Sequence, residues 1–128
     1  MGTKLKYFTL KEAEKLIPTL QAGFEKIQEI RLKIEEKVEY WRKVHKKMTD
    51  VDETLFRSQV DFLVTQLDSE LGKIADLGCV PKDLESGLVD FPARIDGKEG
   101  YFCWKIGETT IAYWHNLTEG FSGRRLIS

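Results

Sequence analysis

The chain predicts an α+β fold: a long antiparallel helical hairpin of coiled-coil type with a small three-stranded antiparallel β-meander at one end. Two observations carry this expectation. Apolar residues recur in alternating three- and four-residue steps from Leu20 to Leu77, broken by one short polar turn. From Gly78 onward the apolar period falls to two, and seven glycines appear where the preceding helical seventy residues hold two. The 128 residues suit a single domain, with the helical hairpin at 9–77 and the meander and C-terminal tail at 78–128.

Thr9 followed by Glu12 is a capping-box pattern, since hydroxyl and carboxylate can each satisfy a free amide at a helix start, so a helix begins near Leu10. Pro18 lacks an amide donor and crowds the carbonyl four residues back, which predicts a kink or restart there. Leu20, Phe24, Ile27, Ile34, Val38, Trp41 and Met48 then form a seam, with Arg31 and His45 in its two polar places. Thr49, Asp50 and Asp52 mark the turn, and either aspartate can cap the second helix. Phe56, Val60, Leu63, Leu67, Leu71, Ile74 and Leu77 continue the period up to Gly78, a residue suited to a left-handed helix end. The first helix outruns the second, so Leu16 and Leu20 are expected to pack on whatever follows.

Leu88 to Ile95, Gly100 to Ile106 and Thr110 to Asn116 read as strands, and Asp96-Gly97 is a strong hairpin signal between the first two. A further short strand around Val80 to Lys82 is confined to an edge by Pro81. A two-residue turn pairs Ile95 with Lys98, Arg94 with Glu99, Phe91 with Phe102 and Asp90 with Cys103. Val89, Phe91, Phe102, Trp104 and Ile106 then share an apolar face, and Asp90, Arg94, Tyr101, Cys103 and Lys105 the other. An even-numbered second turn, the preferred reading, puts Ile111, Tyr113 and His115 on the apolar face and Trp114 beside Cys103; an odd one reverses the last strand.

Twenty basic and twenty-one acidic residues leave a net charge of −1. That balance does not favour a nucleic-acid or anionic-membrane partner, which needs a basic excess to neutralise phosphates. No apolar run reaches the length of a membrane span, and the N-terminus lacks the apolar stretch of a secretory signal. Cys79 and Cys103 show no paired spacing, which fits free thiols in the cytoplasm. No glycine-rich phosphate loop follows a strand, and no cofactor is implied.

The stretches YFTLKEAEKLIP, DLESGLVDFPAR, YFCWKIGE, IAYWH and GFSGR together resemble a prokaryotic family, the domain-of-unknown-function family 2203. The resemblance runs over essentially the whole chain. It implies no activity, cofactor or ligand for particular positions.

The chemistry-bearing residues cluster between Gly87 and Arg124, which hold half of the aromatic side chains. Cys103 and His115 are the candidate catalytic pair, the imidazole activating the thiol, though the preferred register sends them to opposite faces. With Asp90 and Glu119 they supply the donor types of a metal site, but no compact ligand spacing supports one. Arg94 and Arg124 form a candidate fork for a carboxylate or phosphate, against the alternative that Arg94 simply pairs with Glu99 across the hairpin. Trp104 and Trp114 are candidate partner-binding aromatics, because that register turns one of them outward. Asp90, Arg94, Trp104, Trp114, Glu119 and Arg124 thus make up the expected recognition patch. Ile30, Leu32, Val44, Leu55 and Val64 fall beside or outside the seam and predict a homodimer through the hairpin. The preferred functional expectation is a noncatalytic interaction module; the alternative is a small enzyme, or an anionic-ligand or metal-binding protein, built on the sheet-end residues.

Overall fold

A computed structural model describes residues 6–127. The expectation about the N-terminus rests in part on residues 1–5, which lie outside the described residues. The fold is α+β. Thr9 caps the first helix, α1 (Leu10–Lys15), through the full capping box with Glu12. The chain restarts at once as α2 (Ile17–Val44), with Pro18 in its first turn, where a missing amide costs nothing. A 3₁₀ turn (His45–Lys47) leads to α3 (Asp50–Asp76). The cap of α3 is Thr49 rather than either aspartate: its hydroxyl accepts from the Asp52 amide while Asp52 accepts from the Thr49 amide. Gly78, at φ +97°, takes the left-handed turn out of the helix.

Helices α2 and α3 lie antiparallel, as their cross-pairs show. Lys26 Nζ is 3.8 Å from Glu70, Lys37 donates to Gln59 at 2.9 Å, and Trp41 stacks on Phe56 with ring centroids 6.2 Å apart. Ile30 and Leu63 are buried between the helices, and His45 stacks on Trp41 with ring centroids 4.2 Å apart. None of the described helices is long and apolar enough to cross a membrane.

The sheet has five strands where three were expected: β1 (Val80–Asp83), β2 (Leu88–Ile95), β3 (Lys98–Lys105), β4 (Tyr113–Asn116) and β5 (Arg125–Leu126), each antiparallel to its chain neighbour. β1 is the edge strand that Pro81 tolerates. β5 is two residues long and carries no apolar alternation, so nothing in its sequence announces it. The β2–β3 register is the expected one, from Ile95 opposite Lys98 to Asp90 opposite Cys103. Asp96 and Gly97 both adopt positive φ, as a tight hairpin of this twist requires.

The helices cover one face of this sheet. Val89, Phe91, Phe102 and Trp104 pack with Leu20, Phe24 and Ile27 in one core, to which Leu16 and Ile106 add. Phe24 and Trp104 meet at 6.2 Å between centroids. Gln28 donates to the Leu84 carbonyl at 2.6 Å and Gln21 accepts from the Gly107 amide at 3.1 Å, so α2 also holds the turns on either side of β2 and β3.

The preferred register of the last strand is overturned. Phe102 faces Trp114 and Tyr101 faces His115. Ile111 is buried in the core as that reading had it, but it belongs to the connecting loop, which is pinned by hydrogen bonds from Trp104 Nε1 to the Glu108 carbonyl (2.9 Å) and from the Lys105 amide to the Glu108 carboxylate (2.7 Å), and the alternation breaks before β4 begins at Tyr113. That path flips the parity of the strand. Trp114 therefore joins Trp104 on the helix-facing side, neither tryptophan points away from it, and His115 turns to the face of Asp90 and Cys103.

Candidate functional site

On the sheet face away from the helices, Asp90 from β2, Cys103 from β3 and His115 from β4 converge. Their donor atoms all lie within 4.8 Å of one another. Asp90 is directly opposite Cys103, and His115 leans across from the next strand, with Nε2 2.9 Å from Asp90 Oδ1. The small Cys103 side chain leaves room for that reach. The three residues are 2, 0 and 2% exposed. A sheet face without a covering helix would ordinarily leave such groups wet; here the Tyr101 ring lies 5.3 Å from the imidazole, and Arg124 of the tail lies over Tyr113 and donates to the Cys103 carbonyl.

The second imidazole nitrogen is also engaged: Nδ1 is 2.9 Å from the Asn116 carbonyl. A carbonyl only accepts, so Nδ1 carries a proton and donates it. With Nδ1 so occupied, Nε2 is the nitrogen that faces Asp90 and Cys103. Cys103 is different. Burial first, and the Asp90 carboxylate second, push its thiol up to about 12, against a smaller opposing effect of Arg124. The pair Cys103–His115 does meet on one face, but the carboxylate placed between them works against a thiolate.

Beside the cluster, Arg124 lies over the Tyr113 ring with its guanidinium carbon 3.9 Å from the centroid. One terminal nitrogen reaches both Glu108 oxygens, at 2.8 and 2.9 Å, and donates to the Cys103 carbonyl at 3.3 Å. Its Nε is buried and has no partner among the described residues. Glu108 went unnoticed in the sequence because a single glutamate after a turn glycine has no local signature; its role depends on a tail arginine sixteen residues on.

The other expected site residues divide. Arg94 lies over the Tyr7 ring at 4.7 Å, and Tyr7 donates to Glu99, so the register neighbours Arg94 and Glu99 are joined through a tyrosine rather than by an ion pair. Glu99 and Cys103 are four residues apart on β3, about 13 Å at strand spacing, and this separates Arg94 from Arg124. The two arginines make no fork. Glu119 accepts from the Asn116 amide and pairs with Arg125 at 3.1 Å, bracing the tail instead of joining the cluster. Trp104 is fully buried in the core, while Trp114 is half-buried under the Arg125 guanidinium, 5.2 Å from its ring.

No curated protein and no solved structure matches the chain significantly. A family profile does: the one described as uncharacterized conserved protein (DUF2203) matches residues 6–127, a span that includes the capping box of α1, the hairpin and all three residues of the cluster. The chain belongs to this family.

Proposed function

We propose that the chain is a noncatalytic assembly module that forms a homodimer by packing the tip half of its helical hairpin against a second copy. The observation that carries this reading is an apolar face beside the seam. Tyr40 of α2 and Leu55 and Phe62 of α3 are 60, 57 and 64% exposed. Leu55 and Phe62 lie one heptad apart, hence on one stripe, and a groove next to Leu55 is lined by Tyr40, Val44 and Met48. Clustered large apolar side chains of this kind mark contact surfaces.

A second copy fits better than an unrelated partner because knob and groove occupy the same face. Under a two-fold rotation each Phe62 enters the other groove, which is the self-complementarity an isologous interface needs. The groove rim carries both signs, Glu36 and Asp52 with Lys37 and Lys47, so a copy meets its own complement. Toward the sheet the same face turns polar, with Lys26, Glu29, Lys33 and Gln66, which limits the contact to the tip.

The noncatalytic part of the reading is supported by the Cys103 thiol, which holds its proton, and by the separation of Arg94 from Arg124. Two unpaired thiols support a reducing, cytoplasmic setting. Sedimentation equilibrium at tens of micromolar is expected to give twice the 14.8 kDa chain mass. Phe62→Glu should give a monomer with unchanged helicity, because the side chain is exposed in the single chain. A wild-type mass near 14.8 kDa refutes the proposal.

A further inference from the structure

We infer that Asp90, Cys103 and His115 form a binding site for one divalent ion of the zinc class. The donor set is the first argument. A thiolate, an imidazole and a carboxylate together select a borderline-soft transition ion over calcium or magnesium, which take oxygen ligands. Three protein donors leave a fourth position of a tetrahedron for a water molecule.

Geometry is the second argument. Bonds of about 2.0 to 2.3 Å place tetrahedral donors roughly 3.3 to 3.8 Å apart. The three donor atoms already lie within 4.8 Å of one another, with His115 Nε2 and Asp90 Oδ1 at 2.9 Å. Side-chain shifts of about an ångström close the difference. The His115 ring is also set as a ligand: its Nδ1–H is given to the Asn116 carbonyl at 2.9 Å, which fixes the ring and directs the Nε2 lone pair inward. That outer hydrogen bond accompanies nearly all histidines that bind metal.

Charge balance is the third. A doubly charged ion facing a neutral imidazole, a carboxylate and a thiolate leaves the dry site with no net charge to bury. The ligating thiol gives up its proton to solvent when the ion binds. The ion would tie β2, β3 and β4 together on the face the helices leave uncovered.

The test is a Co²⁺ titration of the reduced, chelator-treated full chain, followed by displacement with Zn²⁺. One equivalent of Co²⁺ should bind with a thiolate-to-cobalt charge-transfer band, lost on adding Zn²⁺, and calorimetry in buffers of different ionisation enthalpy should show proton release. Cys103→Ser should abolish the band and Cys79→Ser should keep it. Asp90→Asn should weaken binding at least about tenfold. Wild-type protein that binds neither ion stoichiometrically overturns the inference, as does a band that survives in Cys103→Ser. Should Cys103→Ser fail to fold, the wild-type titration and the Cys79→Ser control still decide it: a band lost in Cys79→Ser assigns the thiolate to the wrong residue.

Discussion

Gly87 and Gly97 offer a controlled comparison of what a methyl group costs in this sheet. Both have φ in the left-handed region, +66° and +79°. A Cβ at Gly97 meets nothing within 4 Å, whereas one at Gly87 lies 2.7 Å from both Cβ and Cγ2 of Ile106. Gly97→Ala therefore isolates the backbone cost of a side chain in that conformation, about 1 kcal/mol. Gly87→Ala adds an overlap that cannot relax freely: the Ile106 amide donates to the Gly87 carbonyl at 2.9 Å, and the Ile106 side chain packs against the core. Overpacking of this kind costs about 1–3 kcal/mol more. Urea unfolding of both variants should give unchanged m-values and a Gly87→Ala loss exceeding that of Gly97→Ala by about 2 kcal/mol, or roughly 8 °C in melting temperature for a chain of this size. Equal losses would refute the reasoning, since they would mean that Ile106 yields to a methyl group without cost or does not lie there.

Leu63→Asp should lower stability by several kcal/mol, because it buries an unpaired carboxylate where α2 and α3 meet; wild-type helicity and melting temperature in that variant would contradict the paired helices. Cys79 donates to the Ile74 carbonyl in the core, and burial pushes its thiol from 9.0 up to about 11. The native chain thus keeps a proton that the unfolded chain loses, so this stabilisation is complete below pH 9.0 and declines as pH rises toward about 11. Cys79→Ala should flatten that alkaline decline in a pH series of unfolding curves, and an unchanged decline would show that the thiol is not its source. In chelator-treated protein Cys103 should react with iodoacetamide more slowly than a free thiol at neutral pH; fast labelling that vanishes in His115→Ala would restore the catalytic pair.

The parts of the fold legible in the sequence are those with a local code. Thr9 and Glu12 fix a helix start within four residues, and Asp96-Gly97 fixes eight strand pairs because a two-residue turn permits one register. The site was hidden by a single count. Whether His115 faces Cys103 or the core depends on the parity of β4, and that parity turns on a break in the alternation between Ile111, buried in the loop, and Tyr113, where the strand begins. All four proposed metal donors were visible as residue types, yet only three meet, because Glu119 is claimed by Asn116 and Arg125. β5 was illegible for a similar reason: its two residues pair with Tyr113 and Trp114 because the 3₁₀ turn at Phe121–Gly123 brings them back.

The strand order follows the chain order, and this has a consequence for how the molecule assembles. Each β pairing joins strands linked by connections of two to eight residues, so the sheet can zip from one hairpin to the next with little loop-closure cost. The helices emerge first from a ribosome, yet Leu20, Phe24 and Ile27 find their cover only when Val89, Phe91 and Trp104 follow. During that interval the root of the hairpin is a greasy, unsheltered end, while its tip has already closed. The amide of Phe8, which donates to the Pro92 carbonyl at 2.7 Å, can dock only after β2 exists, and so it latches the earliest described residues onto one of the later-made elements.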